Sequence, residues 1–428
     1  MYDKIFFHLD ANSAFLSWSA AYRTLILGEE LDLRTIPSVV GGDQEKRHGI
    51  VLAKSVPAKA YGIHTGEALT DARKKCPNLT VIPPDYHLYS TASRAFIEKL
   101  KKYSDNVIQY SIDEAWMEYT GFEHLWGDPV TFAHQLKDEI KQDLGFTVNV
   151  GISTNKLLSK MAGGFKKPDR VHTLFPEEIP RKMWPLPVTE LFWVGRATYT
   201  KLKKLGITTI GELANADINI IRENLKKPGE IIYNYANGGE LEEYVATLPK
   251  AKGYGNSLTA PWDVTTFDFA EHILLSLCET TAFRIRADNV KIACVDIHLV
   301  FTNFEYTGTQ MQLSSATDVT EEIYRAARNL LHRLWDGKNP IRQIGVHTSK
   351  VTETAGRQYN FFDLYKYDQL EKWNKTVDLI RERFGEDSIF RACYLNGAIS
   401  HMSGGLDKER RTGITVGLNL SKEQYIEK

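Results

Sequence analysis

The sequence predicts an α+β protein built from several domains. At 428 residues the chain is too long for one hydrophobic core, so about three or four domains are expected. Its first part mixes hairpin patterns with helices that cross between strands, as in an α+β or split βαβ layer. After Val171 the pattern becomes helical, and strand patterns return after Asn256. These three observations define the fold class.

The first part of the chain alternates between short strands and helices. Asn12 and Ser13 are good N-caps for an apolar helix from Ala14 to Leu27, and Pro77 ends a later helix by removing a backbone donor. The strands expected here are 2–10, 38–40, 50–53, an extended segment at 81–84, a hairpin at 107–119 and 147–152. The further helices expected are 67–76, 87–103 and 130–144.

The helical part after Val171 contains Val194-Gly195-Arg196 between two short helices, with another helix from Thr209. This pattern resembles a helix–hairpin–helix, whose glycine turn leaves helix N-terminal amides available to a phosphate. Helical hairpins with a glycine turn are also common in proteins that do not bind nucleic acid, so this pattern alone does not indicate a phosphate contact.

Residues 243–255 contain Pro249, Gly253 and Gly255 and are interpreted as a linker. A small α/β module is expected over 256–351, with strands at 293–301 and 341–351 and helices at 270–287 and 320–335.

The remaining residues, from Thr352, are expected to form a tail with one amphipathic helix from Asp368 to Phe384, which packs on the body or on a partner. Its apolar positions follow 3-4 spacing, and Gly385 closes it as the C-cap. Those positions are Leu370, Trp373, Val377, Ile380 and Phe384.

The bulk composition is that of an ordinary globular protein, with 43% hydrophobic and 25% charged residues. No apolar run is long enough for a transmembrane helix, and the N-terminus lacks signal-peptide features. Four scattered cysteines indicate a reducing, cytoplasmic location. The net charge of −1 neither supports nor excludes nucleic-acid binding, because the local basic clusters 156–170 and 196–204 lie where phosphate contacts would be useful.

Three acids suggest the chemistry. Asp113 and Glu114 are adjacent within the hairpin, and Asp10 ends the first strand. Acidic residues are poor strand formers, so carboxylates held there need a counter-charge or a metal. Three carboxylates on neighbouring strands can hold two divalent cations, the arrangement that serves in-line displacement at phosphorus. Phosphoryl transfer is therefore the leading hypothesis. The ordinary alternative is a solvated turn at Asp113 and Glu114, with Asp10 as a strand-terminal cap.

An ordered set of motifs resembles the Y-family of DNA polymerases, the translesion group that includes DNA polymerase IV and the UmuC-like proteins. The matching segments run in the family's order over about residues 2–351. They are Asp10 to Phe15, Val51 to Lys54, Ala58 to Gly62, Ser111 to Ala115, Val150 to Ser153, Asn155-Lys156, Lys167-Pro168, the helical hairpin and Ile344 to Val346.

The resemblance implies a right-hand polymerase with palm, fingers, thumb and a C-terminal little-finger domain. The expected boundaries are palm 1–11 and 84–175, fingers 12–83, thumb 176–242, linker 243–255, little finger 256–351 and tail 352–428. The implied activity is template-directed, low-fidelity DNA synthesis on damaged templates, without a proofreading domain.

The resemblance also implies roles for individual residues. Asp10, Asp113 and Glu114, with the carbonyl of Ala11, match the family's ligands for two Mg²⁺ ions, with Mn²⁺ as a substitute. Phe15 matches the steric gate that excludes a ribose 2′-hydroxyl, although periodicity alone favours a core residue.

Lys59 and Lys167 match the basic residues on the incoming dNTP triphosphate. By composition alone each is an ordinary surface lysine. Lys59 replaces a common Arg, and Ala53 and Val56 also depart from many members, which leaves the subfamily open.

The expected partners are primer-template DNA and dNTP. Gly195 and Arg196 are candidates for DNA binding. Gln358, Phe361 and Phe362 resemble a sliding-clamp-binding pentapeptide, in which two aromatics fill a pocket on the partner.

A cytoplasmic, nucleoid-associated bacterial monomer is expected, with no membrane association. Two other functions remain open: a non-catalytic DNA-binding or clamp-associated relative, and a two-metal nuclease or nucleotidyl cyclase.

Overall fold

The structure is a computed structural model that describes residues 2–43, 47, 49–240, 251–353, 364–395 and 399–403. The chain divides into an N-terminal unit, mainly Met1–Gly42 with Ile50–Leu248, and a C-terminal unit, mainly Pro249–Thr412.

The N-terminal unit is a mixed α/β body. In chain order its elements are β1 (Phe6–Ala11), α1 (Ala14–Ala21), β2 (Ser38–Gly41), β3 (Val51–Lys54), α2 (Val56–Ala60), α3 (Leu69–Lys75), β4 (Thr80–Ile82), α4 (Tyr86–Lys101), β5 (Val107–Gln109), β6 (Glu114–Glu118), α5 (Glu123–Trp126), α6 (Pro129–Leu144), β7 (Val148–Ser153), α7 (Lys156–Gly164), β8 (Val171–Thr173), α8 (Ile179–Lys182), α9 (Arg196–Lys204), α10 (Ile210–Ala214), α11 (Ile218–Leu225) and α12 (Lys227–Ala236).

A five-stranded sheet in the order β5-β6-β1-β7-β8 forms its centre. Strand β1 pairs antiparallel with both β6 and β7, and β7 pairs parallel with β8. The middle strand is buried on both faces, which explains why it reads as a continuous apolar run. Phe7 and Leu9 enter one core with Phe132 of α6, whereas Trp116 of β6 belongs to the core that includes Leu157 of α7.

A second, three-stranded sheet has the order β3-β2-β4 and packs with α2 and α3. The helix expected from Ala14 to Leu27 is shorter, because α1 ends at Ala21 and continues as a π-helix over Tyr22–Ile26. The Thr24 hydroxyl donates to the Ala20 carbonyl at 2.9 Å. This side-chain bond competes with the regular backbone bond at the point where the helix type changes.

Two elements near the sheet edge differ from the sequence expectation. Strand β8 at Val171–Thr173 occupies the start of the region expected to be helical, and α7 lies in a segment for which no helix was expected. Asn155 caps α7 by accepting a hydrogen bond from the Leu158 amide at 2.8 Å.

The helical region contains the expected turn at Gly195, which is the N-cap of α9. The element before it is a short 3₁₀ turn, Val188–Glu190, rather than an α-helix. Thr209 caps α10 through a capping box with Glu212, as the expected helix from Thr209 requires.

The C-terminal unit is an antiparallel sheet in the order β11-β10-β12-β9 with helices packed against it. Its elements are β9 (Gly253–Val264), α13 (Phe267–Ala287), β10 (Lys291–Phe301), β11 (Tyr306–Thr317), α14 (Thr320–Leu334), β12 (Ile341–Thr352) and α15 (Leu364–Phe384). The linker expected at 243–255 overlaps β9, which begins at Gly253. Glycines and Pro261 hid this strand in the sequence, and they are tolerated because β9 lies at an edge.

The tail helix, α15, packs on the C-terminal unit through a polar face. Asn374, Asp378 and Arg381 are buried, whereas the expected apolar contacts Trp373 and Phe384 are 58% and 67% exposed. The other three expected apolar positions are half-buried, so the expected apolar face is correct only in part, and buried ion pairs lie beside it on the helix.

Those pairs join α15 to α13. Asp378 pairs with Arg286 at 2.5 Å and Arg381 with Glu279 at 2.9 Å. Charges this deeply buried require partners, so the partners on α13 fix the rotation of α15.

Candidate active site

Asp10 and Glu114 are direct register partners on β1 and β6. Residues directly opposite each other in an antiparallel pair present their side chains on the same face. Asp113 lies in the bend before β6, where its carbonyl accepts a hydrogen bond from the Ala11 amide at 2.9 Å. Strand pairing thus brings the three predicted carboxylates to one end of the sheet.

Ser111 connects the two adjacent acids. Its hydroxyl lies 2.7 Å from Asp113 Oδ1 and 3.3 Å from Glu114 Oε2. A regular strand would send adjacent side chains to opposite faces, but β6 begins only at Glu114, so Asp113 is not bound by that alternation. Both acids are partly buried, so the interpretation as a fully solvated turn is wrong.

Burial dominates the electrostatics of Asp10. It raises the pKa of the Asp10 carboxyl from 3.8 to about 6, against the lowering effect of Lys167 and with a further increase from Glu114 and Asp113. Burial also raises the pKa of the Asp113 carboxyl, opposed by the hydrogen bond from Ser111. A cation would relieve this unfavourable crowding of negative charge.

Two lysines contact the carboxylates directly. Lys167 Nζ lies 2.5 Å from Asp10 Oδ2, and Lys160 Nζ lies 2.6 Å from Glu114 Oε1. The sequence indicated Lys167, but it placed Lys160 only within a basic cluster suited to phosphate contacts. Helix α7 instead turns Lys160 inward, where its side chain is 16% exposed.

A buried asparagine anchors the segment that carries Lys167. Asn149 lies opposite Asp10 on β7, and its amide donates to the Lys166 carbonyl at 2.9 Å. Its side-chain oxygen accepts from the Arg170 amide at 3.3 Å. Sequence reasoning treated Asn149 only as a strand residue, although a polar residue inside an otherwise apolar strand is itself a signal of a required hydrogen bond.

A cavity of about 430 Å³ adjoins the acids and collects most of the predicted site. The predicted residues that line it are Asp10, Ala11, Phe15, Lys59, Asp113 and Lys167. The lining combines carboxylates with lysines, which suits a ligand carrying both phosphates and a divalent cation.

The oxygen donors have the chemistry that Mg²⁺ prefers. In the part of the chain that the structure describes, however, no three acidic, histidine or cysteine side chains converge as a ready metal cluster. Asp10 and Glu114 each direct one oxygen to an ammonium group instead. The carboxylates of Asp10, Asp113 and Glu114 are the oxygen donors that would hold Mg²⁺, so the donor set fits this ion.

Phe15 lies in the first turn of α1 and is only partly buried. Its ring stacks on Tyr89 with a centroid separation of 4.3 Å and an interplanar angle of 6°. Tyr89 is fully buried, and its hydroxyl lies 3.1 Å from the Ser19 hydroxyl. The stacked, anchored partner holds the Phe15 ring at the cavity wall.

Lys59 is exposed on α2 and lines the cavity together with Lys54. Burial, followed by repulsion from Lys59, lowers the pKa of the Lys54 ammonium. The two lysines therefore form a local positive region that an anionic ligand would stabilise. Lys54 was part of the matching motif but was not selected as a site residue.

Of the other predicted residues that the structure describes, Glu114, Gly195 and Arg196 are not among those lining this cavity. Gly195 and Arg196 begin α9 in the helical region, and neither lines the cavity. Gln358, Phe361 and Phe362 lie outside the described residues. Among the helices of the described chain, none has both the length and the apolar character needed to cross a membrane.

Sequence comparisons identify the family. The impB/mucB/samB family matches residues 9–164, and the C-terminal domain of that family matches residues 251–361. A DNA polymerase IV from Clostridium acetobutylicum is 42% identical over 393 residues, which cover 92% of this chain and 98% of the relative. Another from Moorella thermoacetica is 37% identical and covers 91% of this chain and 96% of the relative.

A solved Y-family DNA polymerase chimera has the same fold, with a TM-score of 0.67 at 19% identity. The match covers 82% of this chain and all of that one. The motifs, the paired strands and the full-length relatives agree. The chain belongs to the Y-family of DNA polymerases, among the DNA polymerase IV proteins.

Proposed function

We propose that Asp10, Asp113 and Glu114 hold two Mg²⁺ ions at the primer end during template-directed addition of deoxynucleotides. Family membership makes the chain a DNA-directed DNA polymerase of the translesion group. The observation that supports the catalytic assignment is the register pairing of Asp10 with Glu114, with Asp113 beside them in the bend. The carbonyl of Ala11 is proposed as a further ligand.

Asp113 and Asp10 lie in different local environments, and each environment supports cation binding. The ions, when bound, favour deprotonation of the primer 3′-hydroxyl and neutralise the charge of the departing pyrophosphate. Ser111 holds Asp113 through a 2.7 Å hydrogen bond, and burial gives Asp10 a strong preference for a cationic partner. The chain's contribution is to fix these oxygens in a partly dry site. Mn²⁺ is expected to substitute for Mg²⁺.

Phe15 is proposed as the steric gate for the nucleotide sugar. Its ring lines the cavity and is supported from behind by Tyr89, so it cannot easily move away from a larger sugar. A ribose 2′-hydroxyl would collide with the ring or lose solvation against it. Selection for deoxynucleotides follows.

Lys59 and Lys167 are proposed to bind the dNTP triphosphate. Both line the cavity that contains Asp10. Lys167 contacts Asp10, so a triphosphate would compete with that carboxylate for the same ammonium group. Lys54 adds a third positive charge to this wall.

The wider assignments are also proposals. Gly195 and Arg196 would meet a DNA phosphate at the N-terminus of α9. Residues 358–362 would bind a sliding clamp, and the chain would act as a monomer in the bacterial cytoplasm, at the nucleoid. The domain boundaries follow the family's right hand: palm 1–11 and 84–175, fingers 12–83, thumb 176–242 and little finger from about 253, where β9 begins.

A primer-extension assay tests this function. The full chain is incubated with a labelled primer-template and all four dNTPs, with Mg²⁺ or with EDTA. Extension of the primer only with Mg²⁺ is the expected result. Shortening of the labelled strand would indicate a nuclease, formation of cyclic nucleotide a cyclase, and DNA binding without extension a non-catalytic relative.

A further inference from the structure

Lys160 makes a close contact with one oxygen of Glu114. Its Nζ lies 2.6 Å from Glu114 Oε1, whereas Glu114 Oε2 faces Ser111 at 3.3 Å. The two oxygens therefore have different partners. Lys160 fixes the rotation of the carboxylate and leaves Oε2 on the side of Asp113.

Two aromatic rings fix Lys160 in turn. Its Nζ lies 4.6 Å from the centroid of the Tyr110 ring and 5.8 Å from that of Phe192. A cation over aromatic faces is stabilised, most strongly where water is largely excluded, and this lysine side chain is 16% exposed. A solvent-facing lysine would not need such a setting.

A competing partner for Glu114 lies close by. Both ring nitrogens of the buried His8 lack a hydrogen-bond partner in the described structure, and Nε2 lies 3.8 Å from Glu114 Oε1. Without Lys160, this imidazole is an alternative partner for the same Glu114 oxygen.

We infer that Lys160 is a positioning residue that holds Glu114 in the orientation required for cation binding. This inference rests on the proposed function, because it takes Glu114 to be a metal ligand. It replaces the sequence-based interpretation of Lys160 as either a solvated surface charge or a contact to the DNA backbone. Groups that orient metal ligands typically change metal affinity or activity about 10- to 100-fold when removed.

The competing explanation is that Lys160 is only a counter-charge to Glu114. The two explanations predict opposite changes in cation affinity when Lys160 is removed. A lysine beside the acids repels a divalent cation, so its removal should tighten cation binding if charge is its whole role. If Lys160 orients Glu114, its removal should weaken cation binding despite that relief. Lys160→Met keeps the apolar stem and removes only the ammonium group.

The test uses the full chain with a dideoxy-terminated primer-template and the next dNTP, with Mn²⁺ as the probe. Electron paramagnetic resonance measures Mn²⁺ binding, and single-turnover extension with a normal primer measures rate and apparent dNTP affinity. Lys160→Met should weaken Mn²⁺ binding about tenfold and slow incorporation about 10- to 100-fold, with a smaller change in dNTP affinity. Lys160→Arg should recover most of both, because Arg also fits between aromatic rings.

Lys156→Met is the matched control for cation affinity, since it removes the same charge from the same helix at a lysine whose ammonium lies 5.8 Å from the centroid of the Phe6 ring; its Mn²⁺ affinity should match that of the parent. Unchanged or tighter Mn²⁺ binding by a folded Lys160→Met protein overturns the inference, as does failure of Lys160→Arg to recover. Glu114→Ala distinguishes failure of the proposed function from failure of the positioning role. If this variant retains Mn²⁺ affinity and activity, the proposed metal role of Glu114 is wrong. If Glu114→Ala loses both while Lys160→Met loses neither, only the positioning role fails.

Discussion

Asp10 and Glu114 lie directly opposite each other on adjacent antiparallel strands, with Lys167 bonded to the first and Lys160 to the second. Two ammonium groups thus balance two carboxylates in a partly buried site. Burial still raises the pKa of the Asp10 carboxyl above its ordinary value despite the neighbouring Lys167, and this shift has consequences for the pH dependence of activity and of stability.

Acidity should reduce activity through Asp10. Because burial raises its pKa to about 6, lowering the pH through this value protonates an acid that must bind cations. We expect the incorporation rate at subsaturating Mg²⁺ to fall as the pH drops below about 6, and excess Mg²⁺ to shift that fall to lower pH by competing with the proton. A rate profile that is flat between pH 5 and 8 would contradict this role.

The contribution of Asp10 to the stability of the metal-free protein should fall as the pH rises, whereas activity should increase with pH over the same range. The folded protein binds the Asp10 proton more tightly than the unfolded chain, so the stabilisation from protonated Asp10 is present below about pH 4 and is lost as the pH rises through about 6. Asp10→Asn should therefore raise the melting temperature by a few degrees at pH 7.5 in EDTA. An equal or lower melting temperature would contradict the burial argument.

Phe15→Ala should relax the selection of sugars. Removing the ring that lines the cavity should raise ribonucleotide incorporation relative to deoxynucleotide incorporation roughly 100-fold. Single-nucleotide extension with matched rNTP and dNTP measures this ratio, and the dNTP reaction of the same variant controls for misfolding. A variant that rejects ribonucleotides as strongly as the parent would make Phe15 a core residue only.

Lys167→Met and Lys59→Met should each weaken dNTP binding about tenfold, the loss expected for one charge-assisted hydrogen bond. The maximal rate should change less than the apparent dNTP affinity. Lys166→Met is the control, because Lys166 is exposed, adjacent in sequence and absent from the cavity wall. Equal effects from Lys166→Met and Lys167→Met would indicate a general loss of DNA attraction instead.

Glu279→Gln should release the C-terminal helix. Glu279 pairs with Arg381 at 2.9 Å and with Arg391 at 2.6 Å, and Arg381 is 3% exposed. Breaking such a buried pair leaves an uncompensated charge and should cost about 3 kcal/mol or more in the unfolding of the C-terminal unit. Urea unfolding measures the loss. Glu371→Gln, which breaks only the surface pair with Lys375, should change it by under about 0.5 kcal/mol.

The sequence was sufficient to predict a residue's role where its neighbours along the chain decide its environment. Asp113 and Glu114 could be identified as site residues because acids interrupt an apolar hairpin, and a helix could be expected from Thr209, which the structure shows to be its N-cap. Strands β9 and β11 were not expected, because their glycines and alternating polar residues resemble loops. Only pairing with β10 and β12 makes them strands.

The orientation of side chains across the fold was beyond sequence reasoning. Nothing along the chain indicates that Lys160 points at Glu114 while Lys156 does not, since both lie on the same helix. Likewise, α15 displays a regular apolar pattern, yet it buries Asn374 and Asp378 because Arg286 on another helix requires them. Tertiary partners decided both outcomes.

The most direct test of the central claim compares Asp113→Ala with the parent in two measurements on one primer-template. We predict that dNTP incorporation by the variant falls below detection, whereas fluorescence anisotropy gives DNA affinity within about threefold of the parent, because the carboxylate serves chemistry rather than DNA binding. Incorporation at the parental rate by Asp113→Ala would contradict the account.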